Sequence, residues 1–263
     1  MAATQPAAGQ RNRGRVVVRT HGGLGNQLFQ VFYARLLATE RQADYVEIHD
    51  ANYPHKFQRS SALAVPRGRP GPVQAAVSSA RIPKVLQRLG RGRSEVFGLF
   101  SDRYADGYFQ RTDQYLSFPP AAIRAEIDRL RGELGIDPAT PKDPRHLYHL
   151  RLGDFFNDPE KALGHACERV KDLVPGSVII TNQEDIFLEP RISQAMVNSG
   201  CTLQPSGNFS AEQVIQLMAG FAVIVTNDST LAFWASVLGN CQTAFKNARL
   251  AELHQFLFKI ANN

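Results

Sequence analysis

The sequence predicts an α/β protein built on parallel β-sheets, and two observations carry that prediction. From residue 146 onward, short apolar segments alternate strictly with segments of helical length, a pattern that gives a parallel sheet covered by helices on both faces. Near the start of the chain, a glycine-rich turn, Gly22–Gly25, joins an apolar strand to a helical pattern. Glycines at such a turn let the backbone approach a ligand closely. We therefore expect ligands at the carboxyl ends of the strands.

The first half of the chain contains four predicted elements: a strand at 15–20, a helix at about 26–41, a strand at 45–48 and a helix at about 119–134. The first helix should bury an apolar face that repeats at helical spacing, made of Leu28, Phe29, Phe32 and Leu36. The second is bracketed by Pro119 and Pro120 at its start and Gly135 at its end, which suit those positions.

The second half continues the alternation. Strands are predicted at 147–150, 178–181, 202–203, 221–226 and 242–245, and helices at about 159–173, 185–199, 211–220, 229–238 and at the carboxyl terminus. Three prolines between residues 135 and 145 indicate a linker. The predicted organisation is a disordered tail at 1–14, an N-terminal domain at 15–135 and a C-terminal domain at 146–263.

Composition and charge limit the classes of function. In 263 residues there is no apolar run of the roughly 18–20 residues that span a bilayer. Residues 1–14 lack the apolar core of a secretory signal, and the three cysteines are scattered and odd in number, so we expect a cytoplasmic protein. Neither a metal-ligand spacing nor an Asp-x-Asp element is visible, so no metal is expected.

The net charge of +6 is concentrated in one segment. Residues 59–93 hold eight Arg or Lys and no Asp or Glu. Two interpretations are open: a solvated surface segment, or a dock for an anionic membrane at its inner face or for a phosphate-bearing acceptor. Nucleic acid is not an expected partner, since no aromatic side chains interleave with these cations.

The segment His149–Asp154 is the first candidate site. His149 and Arg151 alternate at the end of a predicted strand, so both side chains should face the same side of the sheet. An arginine in that place can grip a diphosphate with two parallel hydrogen bonds. The competing interpretation is a structural ion pair between Arg151 and Asp154, with His149 packed in the core.

Three polar turns make further candidates. Asn227–Thr230 follows an apolar strand and begins a helix, where free N–H groups suit phosphate, although an ordinary helix cap has the same composition. Thr181–Asp185 follows another strand in the same way, and Gly107–Gln110 lies between the two halves. Each of the last two, taken alone, is also consistent with a structural turn.

Taken in order, the segments GGLGNQLFQ, GYFQ, HLRLGD and NDSTLAFWAS resemble the α1,2-fucosyltransferases of bacterial type. These belong to a wider group that includes α1,6- and protein O-fucosyltransferases. The resemblance spans about residues 15–240 and implies an inverting, metal-independent glycosyltransferase of the GT-B type. Such an enzyme has two Rossmann-like domains with parallel sheets facing a cleft. Its donor is GDP-fucose, bound mainly by the second domain, and its acceptor is a glycan bound on the side of the first.

The resemblance implies that Arg151 contacts the donor diphosphate, that His149 lies near the nucleoside and that Ser229 and Thr230 lie at the phosphates. It also implies that the loop with Gly23, Asn26 and Gln27 closes over the cleft. The polar turns add further candidates. The candidate catalytic set is Arg151, Asn26 and Asp154, the last as the base that the acceptor hydroxyl needs. The donor-binding set is His149, Arg151, Gly23, Gln27, Asn182, Asp185, Asn227, Ser229 and Thr230. An alternative role for Asp154 is to orient Arg151 or the amides of the glycine-rich turn.

The chain departs from the family pattern at two places. Leu152 stands where the family usually has a second basic residue, and Thr181-Asn182-Gln183 stands where a Ser-Asp-Asp turn is usual. A carboxylate is the best acceptor for the N–H groups of guanine, so Glu184 or Asp185 would have to take over that role. Two alternatives therefore stay open: the same scaffold with another nucleotide sugar, and a non-catalytic relative that binds a nucleotide or a glycan.

Overall fold

The computed structural model describes residues 14–49, 96–99, 102–152 and 158–263. These residues form two compact units, each described in turn. The described part of the first unit comprises residues 14–22, 27–49, 96–99 and 102–109. The described part of the second comprises residues 23–26, 110–152 and 158–263.

The first unit contains a mixed sheet in the order β2-β1-β4-β3. Its strands are β1 (Arg15–Thr20), β2 (Asp44–His49), β3 (Val96–Leu99) and β4 (Asp102–Ala105). Strand β1 lies parallel to β2 and β4, whereas β3 is antiparallel to β4 because only two residues connect them. This edge is the one departure from the predicted parallel pairing in the part of the chain that the structure describes.

Helix α1 (Leu24–Arg41) connects β1 to β2 and confirms the predicted apolar face. Its four predicted side chains, Leu28, Phe29, Phe32 and Leu36, are all buried. The helix begins two residues earlier than predicted, within the glycine-rich turn. Its first residues, Leu24–Asn26, belong to the second unit.

The second unit is built on a parallel sheet in the order β7-β6-β5-β8-β9, as the sequence predicts. Its strands are β5 (Asp143–Leu150), β6 (Val178–Thr181), β7 (Thr202–Leu203), β8 (Phe221–Thr226) and β9 (Gln242–Ala244). Its helices are α2 (Pro120–Leu134), α3 (Pro159–Lys171), α4 (Pro190–Asn198), α5 (Ala211–Ala219), α6 (Thr230–Gly239) and α7 (Ala248–Asn262). The two sheets confirm the α/β fold class.

The helix predicted at 185–199 is divided in the structure. A 3-10 turn over Glu184–Leu188 precedes α4, which begins at Pro190. Proline has no N–H to continue a helix from the preceding turn, but it suits the first helical position. Pro190 therefore ends the first piece and begins the second.

The two faces of the second sheet are covered by different helices. On one face Tyr148, Leu150 and Ile179 pack in a core shared with α3 and α4. Helix α6 is buried over Ala232–Gly239 and packs against α2, α5 and α7. A helix that is apolar on all sides is a central helix, and α6 has this character within its unit.

The compact units divide the chain at Phe109–Gln110, and not in the proline-rich stretch 136–145 where the sequence indicates a linker. As a consequence, α2 belongs to the second unit, although the predicted N-terminal domain extends to residue 135. Strand β5 begins at Asp143, so the last residues of the expected linker are part of the second sheet.

Two arginines on α2 explain its place in the second unit. Arg131 Nε donates to the carbonyl oxygen of Leu238 at 2.9 Å, at the last turn of α6. Arg124 Nε donates to the carbonyl oxygen of Ile260 at 3.1 Å, near the end of α7. The last carbonyls of a helix lack partners within the helix and carry a partial negative charge, so a guanidinium is a favourable cap.

Several predicted features lie outside the described residues. They are the tail at 1–13, the basic segment 59–93, and Gly153 and Asp154. Among the helices that the structure describes, none combines the length and apolarity needed to cross a membrane.

A buried polar pair lies in the core of the second unit. The Ser236 hydroxyl donates to the carbonyl oxygen of Cys241 at 2.6 Å and lies 2.8 Å from His254 Nε2. Because the hydroxyl hydrogen is engaged by Cys241, the imidazole donates its Nε2–H to Ser236 Oγ. Burial, with only 6% of His254 exposed, lowers the pKa of this imidazole from 6.5 to about 4. His254 is therefore neutral in the folded protein at pH 7.

This pKa predicts acid sensitivity of the second unit. Between pH 6.5 and pH 4 the unfolded chain binds a proton at His254 that the folded chain excludes, so stability falls as the pH falls through this window. The loss should reach roughly 3 kcal/mol at pH 4. Urea unfolding followed through the fluorescence of Trp234, the single tryptophan, measures it.

His254→Gln is the matched control, since it keeps an N–H for Ser236 and cannot titrate. The variant should show a shallower decline between pH 6.5 and pH 4 than the wild type. Parallel declines would contradict the assignment of acid sensitivity to His254.

Candidate active site

The polar residues that follow β5, β6 and β8 come together at the carboxyl edge of the second sheet. Leu150 is paired with Thr181, and His149 with Thr226. Arg151, Asn182 and Asn227 each follow the end of one of these strands. The edge at which the sequence predicts a ligand site therefore carries the predicted residues.

Two asparagines hold the backbone at Arg151. The Arg151 N–H donates to Asn227 Oδ1 at 3.4 Å, and Asn227 Nδ2 donates to the Arg151 carbonyl oxygen at 3.1 Å. The Leu152 N–H donates to Asn182 Oδ1 at 2.9 Å. Both asparagines are predicted to bind the donor, and the structure engages their side chains with the chain at residues 151–152. In this arrangement they fix the position from which the Arg151 side chain leaves the sheet.

Leu152 explains why a second cation is missing from this edge. Its side chain is fully buried in the core that α3 and α4 share with Tyr148 and Leu150. Successive residues of an extended chain face opposite sides, so Arg151 faces away from that core. A charged side chain at position 152 would have to be buried there without solvent.

His149 is the buried neutral group beside Arg151. Only 7% of its surface is exposed, and its Nδ1 has no hydrogen-bond partner among the described residues. Burial, and after it the nearby positive charge of Arg151, lower the pKa of His149 from 6.5 to about 4. A buried polar atom without a partner costs about 1–3 kcal/mol, which a bound ligand with a matching group would recover.

The turn after β8 uses its side chains on the protein itself. Ser229 Oγ accepts from the N–H groups of Leu231 and Ala232 at 3.2 and 3.5 Å, so it caps α6. Asp228 adopts a φ of 63° and its Oδ1 accepts from the N–H groups of Lys246 and Asn247 at 2.7 and 3.1 Å. The helix-cap interpretation left open by the sequence describes Ser229 correctly.

The glycine-rich turn packs on the first residues of α6. A Cβ added at Gly25 would lie 2.5 Å from both the carbonyl carbon and the Oγ1 of Thr230, and 2.6 Å from the nitrogen of Leu231. Trp234 Nε1 donates to the Gly25 carbonyl oxygen at 3.0 Å. Only glycine permits this approach, and Thr230 is thereby placed against the turn.

Asn26 meets the GYFQ segment. Gln110 Nε2 donates to Asn26 Oδ1 at 2.9 Å, and the Asn26 N–H donates to the Gly23 carbonyl oxygen at 3.0 Å. Gln110 and Trp234 are the site residues that the sequence analysis leaves unassigned. The GYFQ segment could have indicated Gln110, because the sequence analysis already singles it out. Nothing in the sequence around Trp234 predicts that its indole contacts Gly25, 209 residues away.

Other predicted donor-binding residues have local roles. The buried Gln27 belongs to the first unit, and its Nε2 donates to the Gly22 carbonyl oxygen at 2.7 Å. Asp185 is exposed on the 3-10 turn after β6. Its neighbour Glu184 accepts from the Gly207 N–H at 2.9 Å and from the Ser206 N–H. That carboxylate is therefore engaged by the loop after β7.

Within residues 14–49, 96–99, 102–152 and 158–263, no group of three or more His, Cys, Asp or Glu side chains is arranged to hold a metal ion.

No known protein family matches the chain by sequence. No characterised protein matches it by sequence either. Several solved structures are similar to the chain. The α1,6-fucosyltransferase NodZ from Bradyrhizobium, crystallised with GDP, is 16% identical over 86% of this chain and 93% of its own, with a TM-score of 0.48.

Arabidopsis thaliana FUT1 in complex with GDP is 12% identical over 91% of this chain and 71% of its own, with a TM-score of 0.46. The E. coli heptosyltransferase WaaC with ADP is 11% identical over 90% of this chain and 89% of its own, with a TM-score of 0.44.

Gly25→Ala should disrupt the docking of the turn on α6. Alanine is the better helix former, yet its methyl group would overlap Thr230 and Leu231, and overpacking of this kind costs about 1–3 kcal/mol. We expect a lower thermal unfolding temperature and loss of the slow exchange of the Trp234 indole N–H.

Gly23→Ala is the matched control, because a Cβ at Gly23 meets nothing within 4 Å. Equal unfolding temperatures for the two variants would contradict the close approach at Gly25.

Proposed function

We propose that the protein is an inverting glycosyltransferase that moves fucose from GDP-fucose to a hydroxyl of a glycan acceptor. The proposed product is an α1,2-linkage to galactose. The observation that carries the proposal is the pair formed by Arg151 and His149 at the carboxyl edge of the second sheet. Arg151 leaves a backbone clamped by two asparagines, and His149 presents a buried, neutral imidazole whose Nδ1 is without a partner among the described residues.

Arg151 supplies the charge that the reaction needs. Departure of GDP builds negative charge on the β-phosphate, and a guanidinium placed in advance stabilises that charge as it develops. Its planar fork matches two phosphate oxygens at once. Because Asn182 and Asn227 clamp its peptide, the guanidinium starts from a fixed point and loses less freedom on binding.

His149 suits the uncharged part of the donor. With a pKa of about 4 it remains neutral at pH 7, so it adds no second positive charge beside Arg151. A neutral imidazole offers one donor and one acceptor nitrogen, which fits a ribose hydroxyl or a base edge. Two further members of the predicted donor set support this edge: Ser229 caps α6, and Thr230 packs against the glycine-rich turn.

The proposed displacement has one step and inverts the sugar from a β-linked donor to an α-linked product. The acceptor hydroxyl attacks the anomeric carbon and needs a base to take its proton. Asp154, three residues after Arg151, is the proposed base; it lies outside the described residues. Asn26 is the proposed third member of the catalytic set.

A specific observation supports one of the two alternatives. The Glu184 carboxylate already accepts hydrogen bonds from the loop after β7. The hydrogen-bond acceptor left for the N–H groups of a nucleobase at the end of β6 is therefore Asp185 or the neutral amide of Gln183. That chemistry favours the same scaffold with a different nucleotide sugar. A non-catalytic relative is the other alternative. Calorimetric titration with GDP, UDP and ADP separates the first alternative from the proposal, and a transfer assay separates the second.

The acceptor side of the proposal rests on sequence alone. From composition and charge we propose a cytoplasmic location and peripheral contact of residues 59–93 with an anionic membrane, with a solvated segment as the alternative. Co-sedimentation with anionic and neutral vesicles at low salt decides between this contact and a solvated segment.

Arg151→Ala should lower the rate of transfer from GDP-fucose by about a hundredfold or more, since it removes the main charge facing the leaving group. Arg151→Lys should also fail, because an ammonium cannot reproduce the planar fork. The measurement is initial-rate kinetics with purified protein, together with the unfolding temperature.

Arg145→Ala is the control for Arg151. Arg145 lies on the same strand but is exposed and paired with Asp143 at 2.6 Å. Its removal should leave transfer within a few-fold of wild type. An Arg151→Ala enzyme that retains comparable activity would overturn the assignment.

Transfer should persist in excess EDTA. In the proposal the counter-charge for the departing diphosphate comes from Arg151, so the reaction needs no divalent ion. The same initial-rate assay, before and after EDTA treatment, tests this. Activity that disappears and returns with Mg²⁺ or Mn²⁺ would contradict it.

A further inference from the structure

We propose that Gln110 is a positioning residue that sets the orientation of the Asn26 carboxamide, so that Asn26 presents its N–H donors to a substrate oxygen. This inference rests on the proposed function, since it concerns the same site. The direct observation is the hydrogen bond from Gln110 Nε2 to Asn26 Oδ1 at 2.9 Å.

The backbone of Asn26 is already fixed by its neighbours. The preceding carbonyl, of Gly25, accepts from Trp234 Nε1 at 3.0 Å, and the Asn26 N–H donates to the Gly23 carbonyl oxygen at 3.0 Å. Gly25 cannot move toward α6 because it already touches Thr230. What remains free at Asn26 is the rotation of its carboxamide, and Gln110 determines that rotation.

The segment that carries Gln110 has an unusual backbone. Phe109, the preceding residue, has a φ of 50°, a conformation that bulky residues rarely adopt. Its ring is buried and stacks on Tyr33, with centroids 4.2 Å apart and planes 6° from parallel. A strained residue persists where its surroundings enforce it, and such residues concentrate at functional sites.

The orientation has a chemical consequence. With Oδ1 taken by Gln110, the half-buried Asn26 directs its two Nδ2 hydrogens away from Gln110. Such donors bind an oxygen that accepts hydrogen bonds. In the proposed reaction that oxygen belongs either to the diphosphate of the donor or to a hydroxyl of the acceptor.

Gln110→Glu tests the orientation while keeping size and shape. A carboxylate only accepts hydrogen bonds, so Asn26 must rotate its carboxamide to donate Nδ2 to Glu, and its Oδ1 then faces the substrate. The contact survives, and the unfolding temperature should stay near that of wild type. The hydrogen bonds to substrate are lost, and kcat/KM for transfer should fall by about tenfold or more.

Gln114→Glu is the matched control. It adds the same charge four residues away, and its side-chain oxygen continues to accept from the Arg111 N–H, a bond of 3.0 Å in the wild type. Two measurements identify the substrate oxygen that Asn26 binds: the affinity for GDP, from titration, and the KM for the acceptor, from kinetics. A weaker GDP affinity in Gln110→Glu assigns it to the diphosphate, and a raised acceptor KM with normal GDP affinity assigns it to the acceptor.

A measurement without ligand keeps this proposal separate from the proposed function. In protein labelled with ¹⁵N-asparagine, the Asn26 side-chain amide is assigned by its disappearance in Asn26→Asp. It should exchange rapidly with water in the wild type and slowly in Gln110→Glu. If the exchange rate of the Asn26 amide is the same in the wild type and in Gln110→Glu, the positioning role is overturned. It is also overturned if the exchange rate changes but kcat/KM for transfer does not.

A wild type that neither binds GDP nor transfers fucose overturns the proposed function instead. In that case the Asn26 amide still responds to Gln110→Glu, so the two failures are distinguishable.

Discussion

The four-residue turn Asn227–Thr230 is the constraint on which the rest of the second unit depends. Each side chain holds a different part of the chain: Asn227 the peptide of Arg151, Asp228 the start of α7, Ser229 the first turn of α6, and Thr230 the glycine-rich turn. This short segment after β8 therefore holds three separate loops in place. Asp228 has a left-handed backbone in this turn, with a φ of 63°, and all four contacts are made in that one conformation.

Most polar side chains at the carboxyl edge serve the fold, because they satisfy backbone N–H and C=O groups that secondary structure leaves open. His149 is different, since it is buried and its Nδ1 has no hydrogen-bond partner among the described residues. Beside it, the peptide of Arg151 is clamped by two asparagines. In the proposed reaction, a guanidinium whose starting point is fixed before the substrate binds is what electrostatic stabilisation of a leaving group requires.

The sequence predicts much of the fold because its signals are local. Strands β6, β7 and β8 begin and end where the alternation of apolar segments places them, and the glycine at 135 ends α2. Strands β3 and β4 were missed because they lie outside the alternation of apolar and helical segments that reveals β6, β7 and β8, and because β4 begins with two charged residues, Asp102 and Arg103. The division between units depends on contacts such as that between Arg131 and Leu238, which are 107 residues apart. For the same reason, the sequence identifies Asn227 as a site residue but gives no indication that its amide binds the main chain.

The contact between Trp234 and Gly25 also has a consequence for the order of folding. The two residues are separated by 209 positions, so their hydrogen bond closes a loop that includes most of the chain. Closing so long a loop is entropically unfavourable until other contacts have shortened it, and contacts of this range form slowly. During synthesis, the glycine-rich turn leaves the ribosome 209 residues ahead of Trp234, and it must wait for that residue before it reaches its final neighbours. The nascent protein therefore acquires its candidate active site only after α6 has been made.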